Sequence, residues 1–280
     1  MGVERVHSIV GRCALLAAVS ASGGAWAQEA GANRVVLAPH RAVYELVLDP
    51  AKPSKSIEQA RGRIAFDFTG DACDGYALSF RQVTQLTLSE GPPRTIDART
   101  TSFEDGDGRS YRFKTESTSG GAPEIVDGTA RKSEDGYEVR LNAPKEEVFK
   151  DNPDALFPNA QMRAMIQAAR AGRTTLNVRL YDGANTGKEV YETLAVIGKP
   201  IKGQPAEPAL QKPELESMTR WPVSDSYFKV GTGEQTPSYS LAFELYENGL
   251  TGALRLDYGS FALRGTLSRL DLLPAGDCRK

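Results

Sequence analysis

The run PSYSLAFELYENGLTGALRLDYGSFALRGTLSRLDLLP, residues 237–274, decides the fold. Leu241, Phe243 and Leu245 stand two apart, Asn248-Gly249 offers a tight turn, and Tyr258-Gly259 precedes a third alternating stretch. A period of two, broken by residues that tolerate positive φ, is the pattern of an antiparallel meander.

The same pattern extends toward the N-terminus. Ile64, Phe66 and Phe68 alternate in RIAFDFTG, and similar segments rich in Val, Thr, Tyr and Phe follow, separated by Asp105 to Gly108, Asp127-Gly128, Asp135-Gly136 and Asp182-Gly183. About a dozen such segments, spaced as in a sandwich or barrel-like sheet, make the chain mainly β. One stretch breaks the period. In FPNAQMRAMIQAARAGR, Met162, Met165, Ile166 and Ala169 follow the i, i+3, i+4, i+7 rule, which predicts one short amphipathic helix with Asn159 as its cap and Gly172 as its end. The two methionines suit either core packing or the wall of a lipid pocket. IKGQPAEPALQKPELES, residues 201–217, reads as a long proline-rich loop or linker.

The first residues carry Arg5 and Arg12, a short apolar run from Cys13 to Val19, and Ala25-Trp26-Ala27. This is the layout of a secretory leader, residues 1–27, cleaved after Ala27, with Ala25 and Ala27 at the recognition positions. The run is shorter than the about 20 residues that a bilayer-spanning helix needs, so no retained anchor is expected. The rest, residues 28–280, is expected to form a single β domain. Cleavage changes the formal charge from -2 to -3 by removing Glu4, Arg5 and Arg12 (-2 - 2 + 1), and no one-sided basic patch remains to attract nucleic acid. Cys13 leaves with the leader, so Cys73 and Cys278 remain, and in an exported chain they have one way to pair.

The chemical motifs are weak. His40 is the one histidine outside the leader, which rules out a multi-histidine zinc site, and no G-x-S-x-G elbow accompanies it; a hydrogen-bonded structural role is expected. GANTGK, residues 183–188, lacks the spacing and the Ser or Thr of a phosphate loop and reads as a hairpin connection. EDGDGRSYRF places Arg109 where a calcium loop needs a ligand, so a β-turn is expected. The carboxylates of Glu146-Glu147 and Glu214-Glu216 stand in polar surroundings and read as solvated. RWPVSDSYFKVG gathers Trp221, Tyr227 and Phe228, an aromatic group that is either a binding surface or core. These residues give no catalytic set, no cofactor and no metal site.

Several stretches together resemble the EipB cell-envelope integrity proteins of alphaproteobacteria. They are APHRAVYELVL, GRIAFDFTGDACDGYALSF, LFPNAQMRAMIQAARAG, LNVRLYDG, VYETLAVIGKP, RWPVSDSYF and the final run through Cys278. The resemblance implies a periplasmic protein whose long antiparallel sheet curls into an open, barrel-like β-spiral with the helix beside it and a Cys73–Cys278 disulfide. It implies envelope integrity and stress resistance rather than a known reaction, and a periplasmic tetratricopeptide-repeat protein as partner. The spiral is similar in shape to the carriers LolA and LolB, which gives the alternative of a lipid or lipoprotein carrier with an apolar cavity. Trp221, Tyr227, Met162 and Met165 are the candidate binding-surface residues.

Overall fold

The structure, a computed structural model, describes residues 35–134, 136–151 and 154–276. Its strands are β1 (His40–Leu48), β2 (Ile57–Asp71), β3 (Gly75–Leu88), β4 (Arg94–Glu104), β5 (Ser110–Thr118), β6 (Glu124–Ser133), β7 (Gly136–Ala143) and β8 (Glu147–Asp151), then β9 (Thr175–Leu180), β10 (Tyr191–Ile197), β11 (Arg220–Lys229), β12 (Tyr239–Tyr246), β13 (Thr251–Asp257) and β14 (Ala262–Leu272). Between β8 and β9 runs helix α1 (Pro158–Arg170). The described strands all belong to one compact unit that begins at Val35.

All fourteen strands form one sheet in the order β8-β7-β6-β5-β4-β3-β2-β1-β14-β13-β12-β11-β10-β9. Two meanders therefore meet where β1 pairs antiparallel with β14, His40 opposite Leu272 and Leu48 opposite Leu263. The sheet has to curl. β3 and β9 stand eight positions apart in the order, about 40 Å in a flat sheet at about 4.8 Å per strand. Yet Tyr76 of β3, Leu176 of β9 and Met165 and Ile166 of α1 share one core, which a helix only about 10 Å across can join only if the two regions face each other. At the edges, the segment after β8 reaches β9: the Leu156 amide donates to the Arg179 carbonyl at 2.8 Å and the Tyr181 amide to the Leu156 carbonyl at 3.0 Å. The fold is thus mostly β, an open antiparallel sheet with one principal helix.

The β9–β10 connection is the hairpin expected of GANTGK, and it also fills the curl beside β5, β6 and β7. A Cβ on Gly183, which has φ +68°, would run into the Phe113 ring, and one on Gly187 would press on Val126 and Leu141. Tyr181 is fully buried there and its hydroxyl donates to the Gly187 carbonyl at 2.7 Å. The Asp105–Gly108 segment is a turn, as expected: Asp105 Oδ1 accepts the amides of Arg109 and Ser110 at 3.0 and 2.7 Å.

One sequence expectation is corrected and one is refined. Asn159 does not cap α1. Pro158 takes the first helical position, which suits its fixed φ and missing N–H, and the carboxylate of Glu104 at the end of β4 accepts the amides of Asn159 (2.7 Å) and Ala160 (2.9 Å). Gly172 does end the helix, with φ +70° and the Arg173 amide returning to the Ala168 carbonyl at 2.9 Å. Residues 201–217 are largely the expected loop, and it is anchored rather than free. β13 and β14 pair only from Leu254–Gly265 to Asp257–Ala262, and beyond that point Glu207 accepts the Ala253 amide at 2.8 Å and the Leu267 amide at 2.6 Å. Leu210 and Leu215 follow it into the core. The loop is a wedge that restores hydrogen bonds where two strands part.

Candidate functional site: an interior cavity

Inside the curl lies a cavity of about 420 Å³ between α1 and the inner faces of β1–β3 and β11–β13. Helical periodicity supplies one wall: Pro158, Gln161, Met162 and Met165 stand at i, i+3, i+4 and i+7 and all line it. The opposite wall is built by strand alternation, which aims Tyr44 and His40 from β1, Ile64 and Phe66 from β2, and Phe80 and Gln82 from β3 inward.

The polar groups are few and fixed. Gln161 Nε2 donates to Thr193 Oγ1 and to Asp225 Oδ2, both at 3.1 Å. Asp225 is fully buried on the inner face of β11, and burial pushes its carboxyl up to about 6 against the pull of the Tyr227 and Gln161 contacts. Its Oδ1 makes no hydrogen bond of normal geometry, and the Tyr227 hydroxyl interacts with the carboxyl group. Tyr227 stacks on Tyr239 with centroids 4.2 Å apart, and Tyr191 meets both edge-on. Asp182, just after β9, also lines the cavity, and burial raises it to about 6. Among the described residues no lysine or arginine lines the cavity.

His40 is buried and lies 5.1 Å from Phe66, ring over ring. Its Nδ1 is 2.7 Å from the Ala38 carbonyl. A carbonyl only accepts, so the proton is assigned to Nδ1 and the neutral ring leaves Nε2 as an acceptor. Desolvation lowers its pKa. The hydrogen-bond partner of its Nδ1 is backbone rather than a serine or carboxylate, and among the described residues no group of three His, Cys, Asp or Glu side chains could hold a metal.

Three of the four candidate binding residues, Met162, Met165 and Tyr227, come together, on an interior wall rather than an outer surface. Trp221 does not line the cavity: it is a core residue, 5% exposed, in the cluster that also holds Met165, Val223 and Leu245. Cys73 sits in the β2–β3 turn, where its amide donates to Asp71 Oδ1 at 2.8 Å. Gly276 packs so tightly on Asp71 that a Cβ would collide with the carboxyl group. Cys278, Ala25 and Ala27 lie outside the described residues. Sequence reasoning missed Gln161, Asp182 and Asp225. For Asp225 a signal exists, because Trp221, Val223, Asp225 and Tyr227 share one phase of the β11 alternation, so an acid stands where the pattern demands an apolar residue.

Comparison with known proteins places this architecture. The EipB-like family profile matches residues 31–274. The cell envelope integrity protein EipB of Brucella abortus (strain 2308) is 35% identical over 271 residues, 92% of this chain and 95% of the relative. A crystal structure of a β-barrel-like protein of a domain of unknown function, also from Brucella abortus, superposes with a TM-score of 0.79 at 34% identity, covering 86% of this chain and 100% of that one. With a match across nearly every described strand and the same barrel-like curl, the chain belongs to the EipB-like family.

Proposed function

We propose that this chain is a periplasmic protein that supports cell-envelope integrity and stress resistance by binding rather than by catalysis. The observation that carries the reading is the match over 92% of the chain to a protein named for envelope integrity. The leader-like residues 1–27 support the periplasmic address, and no helix among the described residues is long and apolar enough to cross a membrane. In this reading Cys73 pairs with Cys278, supported by the return of Gly276 to the turn that holds Cys73. The partner is a periplasmic tetratricopeptide-repeat protein, for which an open sheet edge such as β8 offers unpaired backbone groups. Deleting the gene should sensitise cells to detergent and cell-wall antibiotics, and a tagged chain should fractionate with the periplasm and retain the repeat protein. Unchanged sensitivity, or a chain held in the cytoplasm, would overturn the reading.

A second reading, carriage of a lipid, is favoured by the cavity. Native mass spectrometry of protein purified from its own host should then show an adduct of lipid mass.

A further inference from the structure

The cavity has an unusual charge balance for a lipid site. Its walls are aromatic and aliphatic from Phe66 and Phe80 across to Leu254 and Leu256, with Met162 and Met165 above. Its polar lining offers acceptors: the carboxyl of Asp182, with Asp225 directly behind Gln161, and, from β1, the Nε2 lone pair of His40. Among the described residues it holds no lysine or arginine. Two cations on the elements that line it are engaged elsewhere: Arg163 of α1 on the Glu104 carboxylate at 3.3 Å and Lys229 of β11 on Glu189 at 2.5 Å.

A ligand with an anionic head would bring a second negative charge into a desolvated space already occupied by carboxyls, with no counter-ion. Burying an unpaired charge is unfavourable, so phosphate and carboxylate heads are disfavoured. Asp182 Oδ1 already accepts the Ala184 amide at 2.9 Å, and a hydroxyl or amide head adds a donor to that carboxyl without adding charge. Size narrows the tail. At roughly 30 Å³ per heavy atom, the share of one water in its liquid, about 420 Å³ holds on the order of a dozen chain atoms, enough for one chain.

We propose that the cavity binds a single-chain amphiphile with an uncharged, hydrogen-bond-donating head, the head against Asp182 and Gln161 and the chain between α1 and the inner faces of β2, β3 and β13. This rests on the carrier reading and names its ligand class.

The test uses the full chain from Gln28 and titrates 1-monolauroylglycerol, farnesol and laurate at pH 8, each below its micelle concentration, by tyrosine fluorescence and calorimetry. A neutral probe should bind at one site at least tenfold more tightly than laurate, and the tighter of the two neutral probes tells an acyl from an isoprenoid source. Asp182→Asn should shrink the preference to below about threefold. Because that ratio is read within one protein, a loss of stability does not mimic it. Met162→Trp, which fills the cavity from the helix, should abolish binding while its melting curve reports whether it has folded. Equal binding of laurate and the neutral probes would overturn the head assignment and leave the carrier reading standing. Failure of every probe to bind the wild-type chain would overturn both.

Discussion

At the scale of single residues, the structure spends buried carboxylates on holding elements together. Glu104 is 1% exposed and joins the end of β4 to the first turn of α1 through two amides and Arg163. A negative charge at a helix N-terminus complements the macrodipole and the unpaired amides there. Burial nevertheless pushes Glu104 up to about 7, from 4.5. The direction of the linkage follows. A carboxyl with a raised folded-state pKa favours the folded state below its unfolded pKa, and that contribution is lost as pH rises through the folded value. Stability should therefore decline between about pH 4.5 and pH 7, and Glu104→Gln should flatten that slope in urea titrations. Glu104→Ala should cost about 3 kcal/mol, because it leaves Arg163 and two helix amides without their acceptor. A variant as stable as wild type at every pH would show that solvent reaches the site.

At the scale of elements, α1 and the 201–217 wedge have opposite relations to the sequence. The helix follows its apolar period and its Pro158 and Gly172 boundaries, and the methionine stripe falls on the cavity as one of the two meanings of that pattern. Nothing local marks the wedge, since Pro205, Pro208 and Pro213 read as loop wherever they occur. Its order comes from Glu207, whose two oxygens reach amides on different strands, Ala253 of β13 and Leu267 of β14. Ala253 has φ +50°, and β14 is bulged against β1 opposite Val43 and Tyr44, so both amides are turned out of the ladder. Glu207→Ala should destabilise the protein by about 2 to 4 kcal/mol. It should also raise hydrogen exchange at Ala253 and Leu267 well before the amides of β2 and β3 exchange; uniform exchange across the sheet would contradict a wedge.

At the scale of the whole molecule, the two meanders depend on one seam. β1 meets β14 over nine residue pairs, so the start and the end of the described chain lie side by side. A Cys73–Cys278 bridge would reinforce that seam by closing a ring of 205 residues (278 minus 73), worth up to about 5 kcal/mol in the chain-entropy picture. Cys278→Ser should lower the melting temperature by several degrees or more, and reductant should reproduce the shift in wild type without adding to it in the variant. Identical melting curves in all four conditions would remove the bridge from the account.

Strand periodicity, turn residues and the helical run were readable from the amino-acid order alone, because each depends on neighbours within a few positions. RIAFDFTG, the Asn248-Gly249 turn and the α1 stripe therefore stand where alternation, turn chemistry and the helical period put them. The spiral itself came from family resemblance, since a period of two tells which side chains share a face and not which strand lies beside which. Only the folded chain brings β1 to β14, leaves a cavity under α1, turns Glu104 into a helix cap and buries Asp225 behind Gln161. Those features rest on through-space contacts between distant segments, where desolvation and hydrogen-bond partners, rather than local propensity, set what a side chain does.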